Sequence, residues 1–317
     1  MLRGRRFINV EQRRPDLRFP LPERFVERLT GRTVERLDRR AKYILVHLDK
    51  GEVLAMHLGM TGRFSVQLPP SPSPRRLSRR GEGRGEGRQQ VPAVFATATH
   101  PNPLLAEGRG EGMQLGEFTH EHGHDAKHDH LVFTMSGGAV VTYNDARRFG
   151  YMTLVDASTL NDHEYFAGLG VEPLSDALSP AYLAGRARAK KLDLKALLMD
   201  QRIVAGLGNI YVCEALFRAR LDPFKGASRL ATKTGKPTPG AIRLVAAIKA
   251  VLTDAVRAGG STLRDYKQAD GSLGRFQHQF AVYGREGEPC SRPGCRGRVR
   301  RKTQGGRSTF YCPACQR

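Results

Sequence analysis

Four of the five cysteines stand in two pairs near the C-terminus, Cys290-SRPG-Cys295 and Cys312-PA-Cys315, with sixteen residues between the pairs. Two short cysteine loops brought together by a hairpin supply the four thiolates that a tetrahedral zinc ion needs. The intervening residues fit that hairpin: Arg298 to Thr303 and Ser308 to Tyr311 read as strands, and Gly305-Gly306 can take the positive backbone angles of a tight turn. So short a segment cannot bury a core of its own, and its folding energy is expected from a structural zinc, one per chain. From Cys290 onward it carries eight Lys or Arg and no Asp or Glu, a concentrated positive surface turned to something negative.

Lys42 is a second residue with chemistry in reach. The period-two face of Ile44, Val46 and Leu48 also contains Lys42, which puts an ammonium at the end of an apolar stripe. Such a lysine either extends its amine into water or is partly desolvated and easier to deprotonate. The turn from Asn144 to Gly150 carries Arg147, Arg148 and Phe149, a combination that contacts base edges while the ring stacks or wedges. Ile203 to Gly208 is a glycine-bearing link between two helical segments, with Asn209 expected as N-cap of the second; free N–H groups at such a start make a phosphate-binding corner. His120, His122, His124, His128 and His130 have no regular ligand spacing, so no catalytic metal is expected there. Cys213 is expected to be a small buried apolar side chain.

The elements that must position these groups change character along the chain. Residues 7 to 66 read as β structure, with strands at Phe7 to Val10, Tyr43 to Leu48 and Val53 to Leu58. From about 68 to 127 come Pro-Ser repeats, an Arg cluster and the hexapeptide Glu-Gly-Arg-Gly-Glu-Gly at both 82 to 87 and 107 to 112, a composition expected to form a disordered insertion. Leu131 to Met135 and Ala139 to Tyr143 read as a hairpin through Ser136-Gly137-Gly138. After about 160 the pattern is helical: Leu194, Leu197 and Leu198 share one face, Ile210, Cys213, Leu216 and Phe217 another, and a third helix from about 240 to 257 stops at Gly259-Gly260. A polar loop from Ser261 to Gln277 leads to the cysteines.

Composition narrows the partner. The net charge of +21 and pI of about 10.3 are far too basic for an ordinary metabolic enzyme and point to a polyphosphate backbone. No apolar run approaches a transmembrane length, so no membrane partner is expected. The first residues lack the apolar stretch of a signal peptide, so the expected location is cytoplasmic, with reduced thiols.

The stretches RRAKYILVHL (39 to 48), HLGMTGRF (57 to 64), YNDARRFG (143 to 150), MDQRIVAGLGNIY (199 to 211), GGSTLRDY (259 to 266) and VYGREGEPC through GRSTFYCPAC (282 to 315) resemble the bacterial formamidopyrimidine-DNA glycosylase family, which also contains endonuclease VIII. The resemblance implies an α+β multidomain fold: a β-sandwich-like N-terminal domain over 1–158, a helix-two-turn-helix domain over 159–279 and a zinc finger over 280–317. It implies a monomer that flips an oxidised purine out of damaged double-stranded DNA, excises it and nicks the strand by β,δ-elimination. By the same resemblance Lys42 acts at the lesion sugar and phosphate, and Arg307 assists δ-elimination. Met60, Arg147 and Phe149 fill the hole left by the extruded nucleotide. His57, His128, Lys190, Asn209, Tyr211 and Arg264 contact DNA, and Cys290, Cys295, Cys312 and Cys315 hold zinc. The family begins Pro-Glu-Leu-Pro-Glu-Val-Glu, with the proline amine as nucleophile, whereas this sequence opens Met1-Leu2-Arg3-Gly4. The expectation is therefore a retained DNA surface whose chemistry needs another amine, Lys42 first. The alternative is a protein that binds lesions or abasic sites without catalysis.

Overall fold

The computed structural model describes residues 2–69, 125–260 and 275–317. Most of the 68–127 stretch, His120, His122, His124 and the loop bearing Arg264 lie outside the described residues. The N-terminal part is two four-stranded antiparallel sheets. One runs in the order β1 (Phe7–Gln12), β6 (Asp129–Met135), β7 (Val140–Asn144), β5 (Arg63–Gln67). The other runs β2 (Val34–Arg40), β3 (Tyr43–Leu48), β4 (Glu52–His57), β8 (Tyr151–Asp156). Alternation sets what each strand buries: Leu131, Phe133 and Met135 of β6 meet Leu54 and Met56 of β4 in one shared core. The five-residue helix α1 (Phe25–Leu29), which the strand pattern of 7 to 66 conceals, adds Phe25 and Leu29 to that core.

The second sheet is buried on both faces, because Leu45, Val53 and Ala55 on its outer side are covered by Phe166. That double burial explains why the apolar residues around β3 do not alternate cleanly. Lys42 is in fact outside the strand, in the β2–β3 turn, where Ala41 has φ 52. The stripe of Ile44, Val46 and Leu48 thus ends before it, correcting the strand-end placement.

The second core is helical. α2 (Pro180–Ala187), α3 (Leu194–Met199), α4 (Asn209–Arg218) and α5 (Pro239–Arg257) pack Leu183, Leu197, Leu216, Leu244 and Ile248 at 0% exposure. Each such leucine contributes roughly 2 kcal/mol of burial. Three starts are capped by a side chain that accepts from a backbone N–H: Ser179 from Tyr182, Asp193 from Ala196 and Thr238 from Ala241. α4 differs from the expectation. Gly208 is its N-cap, and Asn209 is the first helical residue, its side chain drawn away to the Ser308 carbonyl at 2.9 Å.

The C-terminal hairpin of β9 (Arg300–Gln304) and β10 (Arg307–Tyr311) packs on α4 through Phe310, Val299, Cys213 and Phe217. Cys213 is buried, as its type suggests. Glu214, at 0% exposure, accepts from the backbone N–H groups of Ala281, Val282 and Tyr283 at 2.8 to 3.0 Å. Three donors offset the cost of burying its charge and fix the chain entering the hairpin.

One carboxylate joins the sandwich to the helices. Glu172 accepts from Arg39 at 2.7 Å, Arg40 at 2.8 Å and the Ala41 N–H at 2.6 Å, while Arg40 also reaches the Gly170 carbonyl at 2.7 Å. Burial pushes the Glu172 carboxyl up, but the Ala41 N–H and the two arginines outweigh it and leave the pKa below its ordinary 4.5. A depressed folded-state value means that this stabilisation is present above about pH 4.5 and is lost as pH falls through the folded value. Glu172→Gln is expected to lower the melting temperature at pH 7 and to flatten its acid dependence below pH 5, as read from thermal melts across pH.

Candidate nucleic-acid interface

The Lys42 turn faces the start of α4. A Cβ placed on Gly208 would lie 3.7 Å from the Lys42 Nζ, and one on Gly206, at φ 81, would lie 3.2 Å from the Ala41 Cα. These two glycines let the helical turn close on the lysine. Lys42 remains accessible to solvent, yet the atoms crowding the cleft desolvate its amine, and the charge of Arg307 adds to this; both pull its pKa below the ordinary 10.5. The neutral amine is therefore more available at neutral pH than that of an ordinary lysine.

Arg307 is exposed at the first position of β10, and the residues beside it are fixed. Lys195, buried at 2% exposure, donates to the Thr309 hydroxyl at 2.6 Å and the Ser308 carbonyl at 3.3 Å. Asn209 donates to the same carbonyl. Tyr211, two residues further along α4, rests its ring 5.8 Å from Phe276.

Two further loops stand together. Met60 is 67% exposed and Phe149 39%, with the Arg147 guanidinium 4.5 Å over the Phe149 ring. Their loops meet at backbone distance: a Cβ on Gly59 would overlap the Phe149 carbonyl, and one on Gly150 would fall on the Tyr143 hydroxyl. Asp145, at 0% exposure, holds both loops by accepting from the Thr61 hydroxyl, from the Tyr143 hydroxyl at 3.0 Å and from the Gly150 N–H at 2.8 Å. Thr61 in turn accepts from the Arg147 N–H at 3.2 Å. His128 joins them through its carbonyl, which accepts from the Asp145 N–H at 3.0 Å.

His57 lies between Lys42 and this loop pair. Burial, then the charges of Lys42 and Arg18, push its imidazole down to about 4, so it is neutral at pH 7. Its Nδ1 accepts from the Gly59 N–H at 2.9 Å, which leaves the proton on Nε2 as a hydrogen-bond donor. Lys190 stands apart, exposed after α2, with its backbone bonded to Ala187 and its charge felt by Asp200.

The four C-terminal cysteines converge, with all four sulfurs within 4.8 Å of one another, Cys290 and Cys315 at 3.8 Å and Cys295 and Cys312 at 3.7 Å. Four sulfurs about 2.3 Å from a tetrahedral zinc lie about 3.8 Å apart, so the donor set fits the ion. Gly297 is required beside it: a Cβ there would come within 2.8 Å of the Cys312 sulfur.

Sequence reasoning passes over Asp145, Glu172, Lys195 and Glu214. Glu214 alone stands as a charged letter inside an apolar run, Ile210 to Phe217, while Asp145 and Lys195 lie among other polar and charged residues and nothing local marks them.

Comparison with known proteins agrees with this layout. The formamidopyrimidine-DNA glycosylase N-terminal domain matches residues 1–152, its H2TH domain 169–267, and the zinc finger found in FPG and IleRS 287–317. Formamidopyrimidine-DNA glycosylases of Methylobacterium sp. (strain 4-46) and Phenylobacterium zucineum (strain HLK1) are 51% and 50% identical, covering 99% and 100% of this chain and 93% and 94% of theirs. The Fpg protein of Thermus thermophilus superposes with a TM-score of 0.71 at 34% identity, covering 99% of this chain and 92% of that one. Lactococcus lactis Fpg in complex with abasic-site DNA superposes at 0.72 and 25% identity, covering 100% and 94%. A three-part DNA repair glycosylase with a structural zinc finger is the class that fold and site define. The chain belongs to the formamidopyrimidine-DNA glycosylase family, the DNA glycosylase/AP lyases of base excision repair. None of these findings favours a lesion binder without catalysis. Among the described residues no helix is long and apolar enough to cross a membrane.

Two measurements check the site. Asp145→Asn is expected to lower excision from duplex DNA by roughly tenfold to a hundredfold, since a buried charge-assisted bond is worth about 1.5–3 kcal/mol. Cleavage at a preformed abasic site, where no base has to be extruded, should fall less. Metal analysis should find one zinc per chain, and Cys315→Ser or a strong chelator should release it and abolish DNA binding through loss of the hairpin fold.

Proposed function

We propose that this protein removes oxidised purines such as 8-oxoguanine and formamidopyrimidines from double-stranded DNA and nicks the strand by β,δ-elimination, working as a monomer in the bacterial cytoplasm. What carries the reading is one juxtaposition: an accessible amine with a lowered pKa, an arginine beside it, and an exposed Met-Arg-Phe wedge on the adjoining loops. The division into 1–158, 159–279 and 280–317 then gives each part a task. The sandwich supplies amine and wedge, the helices grip phosphate, and the zinc hairpin brings Arg307.

In this reading Met60, Arg147 and Phe149 fill the gap left by the extruded nucleotide, which offsets part of the few kcal/mol lost in unstacking and unpairing. His57, His128, Lys190, Asn209, Tyr211 and Arg264 hold the backbone. An amine attacks C1′, the N-glycosidic bond breaks with its electron pair going to the base, which takes up a proton, the C1′–O4′ bond then opens with protonation of O4′, and the resulting Schiff base acidifies the C2′ proton. Loss of that proton expels the 3′ phosphate, and a second elimination expels the 5′ phosphate. Lys42 acts at the sugar and phosphate through these steps, and Arg307 stabilises the departing phosphate.

Nicking of an 8-oxoguanine duplex is expected to fall by about a hundredfold or more in Lys42→Ala, the scale of positioned acid–base catalysis, with binding to a tetrahydrofuran abasic analogue largely kept. Borohydride trapping on a preformed abasic site reads the Schiff base directly. Equal nicking by both proteins would remove Lys42 from the reaction. Lesion binding by the parent chain with no adduct and no nick would mean that it binds without cutting.

A further inference from the structure

The loop between β1 and α1 carries an exposed pair that none of these roles uses. Arg18 and Phe19 both face solvent, Phe19 at 44% exposure, and the guanidinium lies 5.5 Å from the ring centroid. The loop is a fixed reversal. Leu17 is buried, its N–H donates to the Phe19 carbonyl at 3.0 Å, and the Leu21 N–H donates to the Pro15 carbonyl at 3.0 Å. It is also tied to the wedge: the Arg18 N–H donates to the Gly150 carbonyl at 3.0 Å, and Asp16 pairs with Arg148 at 3.6 Å. The Phe19 ring meets Tyr151 edge-on at 5.3 Å, and Tyr151 stacks on His57 at 5.1 Å and 14°. Two Arg–Phe pairs, 18/19 and 147/149, thus stand beside each other on loops joined by a backbone hydrogen bond.

Packing alone does not account for the arrangement. A ring serving only to cover Tyr151 need not leave 44% of its surface in water. Among the described residues no carboxylate lies within ion-pair distance of Arg18, although its charge reaches His57, as does that of Lys42. Asp16 on the same loop is taken up by Arg14 and Arg148, so the Arg18 guanidinium is left to repel its positive neighbours, and an anion placed beside it relieves that repulsion.

We propose that Arg18 and Phe19 are a second DNA contact on the rim of the cleft, the guanidinium bonding a backbone phosphate of the lesion strand and the ring packing on the neighbouring deoxyribose. The contact rests on the repair reading, because that reading places DNA in this cleft. By lying against both His57 and the end of the wedge loop, it holds the strand that the wedge opens.

The test is fluorescence anisotropy with the 317-residue chain, titrating a tetrahydrofuran-containing duplex and an undamaged one across a salt series. Arg18→Ala should reduce the slope of log K against log salt by about 1, the loss of one phosphate contact. Its affinity should drop roughly tenfold. Arg18→Lys should keep the slope, and Phe19→Ala should keep the slope while weakening binding by about fivefold, the lower end of losing one ring contact. Thermal melts show whether each variant is folded; Arg18→Gln, which removes the charge and keeps a polar side chain, takes the place of Arg18→Ala with the same expected fall in slope if Arg18→Ala is not. An unchanged slope and affinity in Arg18→Ala, or a lowered slope in Arg18→Lys, would overturn the contact. Equal affinity of the parent chain for both duplexes would instead count against the repair reading, and the slope comparison would still decide the contact on either duplex.

Discussion

The Lys42 amine stands where crowding by its neighbours first and the charge of Arg307 second lower its pKa, and such a place is one a flexible lysine tends to avoid. Lys42 is held there by the Ala41 backbone, not by its own side chain. Ala41 sits in the left-handed region at φ 52, a conformation costing about 1 kcal/mol or more for a residue with a Cβ. Glu172 takes its N–H and, in the same grip, Arg39 and Arg40. With those two guanidiniums paired on Glu172, Arg307 is the cation that acts on the Lys42 amine. The same carboxylate comes from the segment that leads into the helices, so the geometry of the amine and the docking of the two cores are one constraint.

The paired loops obey a similar logic with their charge buried. Met60, Arg147 and Phe149 are exposed at their tips, and on independent loops the backbones that carry them would be free to move. Asp145 removes that backbone freedom by bonding donors from both loops, and Gly59, Gly62 and Gly150 supply the room for the backbones to approach. An aspartate at 0% exposure is tolerable only because three donors surround it. Removing one donor leaves part of that charge unpaired, which is why the loops behave as a single rigid tool.

Much of this is legible without coordinates, for identifiable reasons. Cysteine spacing implies a zinc hairpin because the metal admits little else. The Ser136-Gly137-Gly138 turn is readable because both glycines are needed at positive φ, and they adopt 83° and 81°. Lys42 draws notice through an apolar stripe to which it does not belong; the strand begins at Tyr43, and burial on both faces hides the true register. Asn209 looks like a cap because its residue type caps helices, but a carbonyl from a segment 99 residues later competes for its amide. Glu214 and Lys195 are hidden for the same cause. Their partners, 281–283 and 308–309, are distant in sequence, and no local pattern announces a buried charge whose donors or acceptors come from another domain.

Those long-range bonds make the zinc finger continuous with the helical core instead of an appended module. Lys195 and Asn209 converge on the Ser308 carbonyl, one residue from Arg307, so the arginine is positioned by the helical core and by the metal together. The Lys195 ammonium is buried, and its hydrogen bonds go to a carbonyl and a hydroxyl of the hairpin. A buried cation costs several kcal/mol unless its hydrogen bonds are well made. The hairpin must therefore be folded for Lys195 to be tolerated, and zinc must be bound for the hairpin to fold. Through that chain the place of Arg307, whose charge helps to lower the Lys42 pKa, depends on the metal that the four cysteines hold.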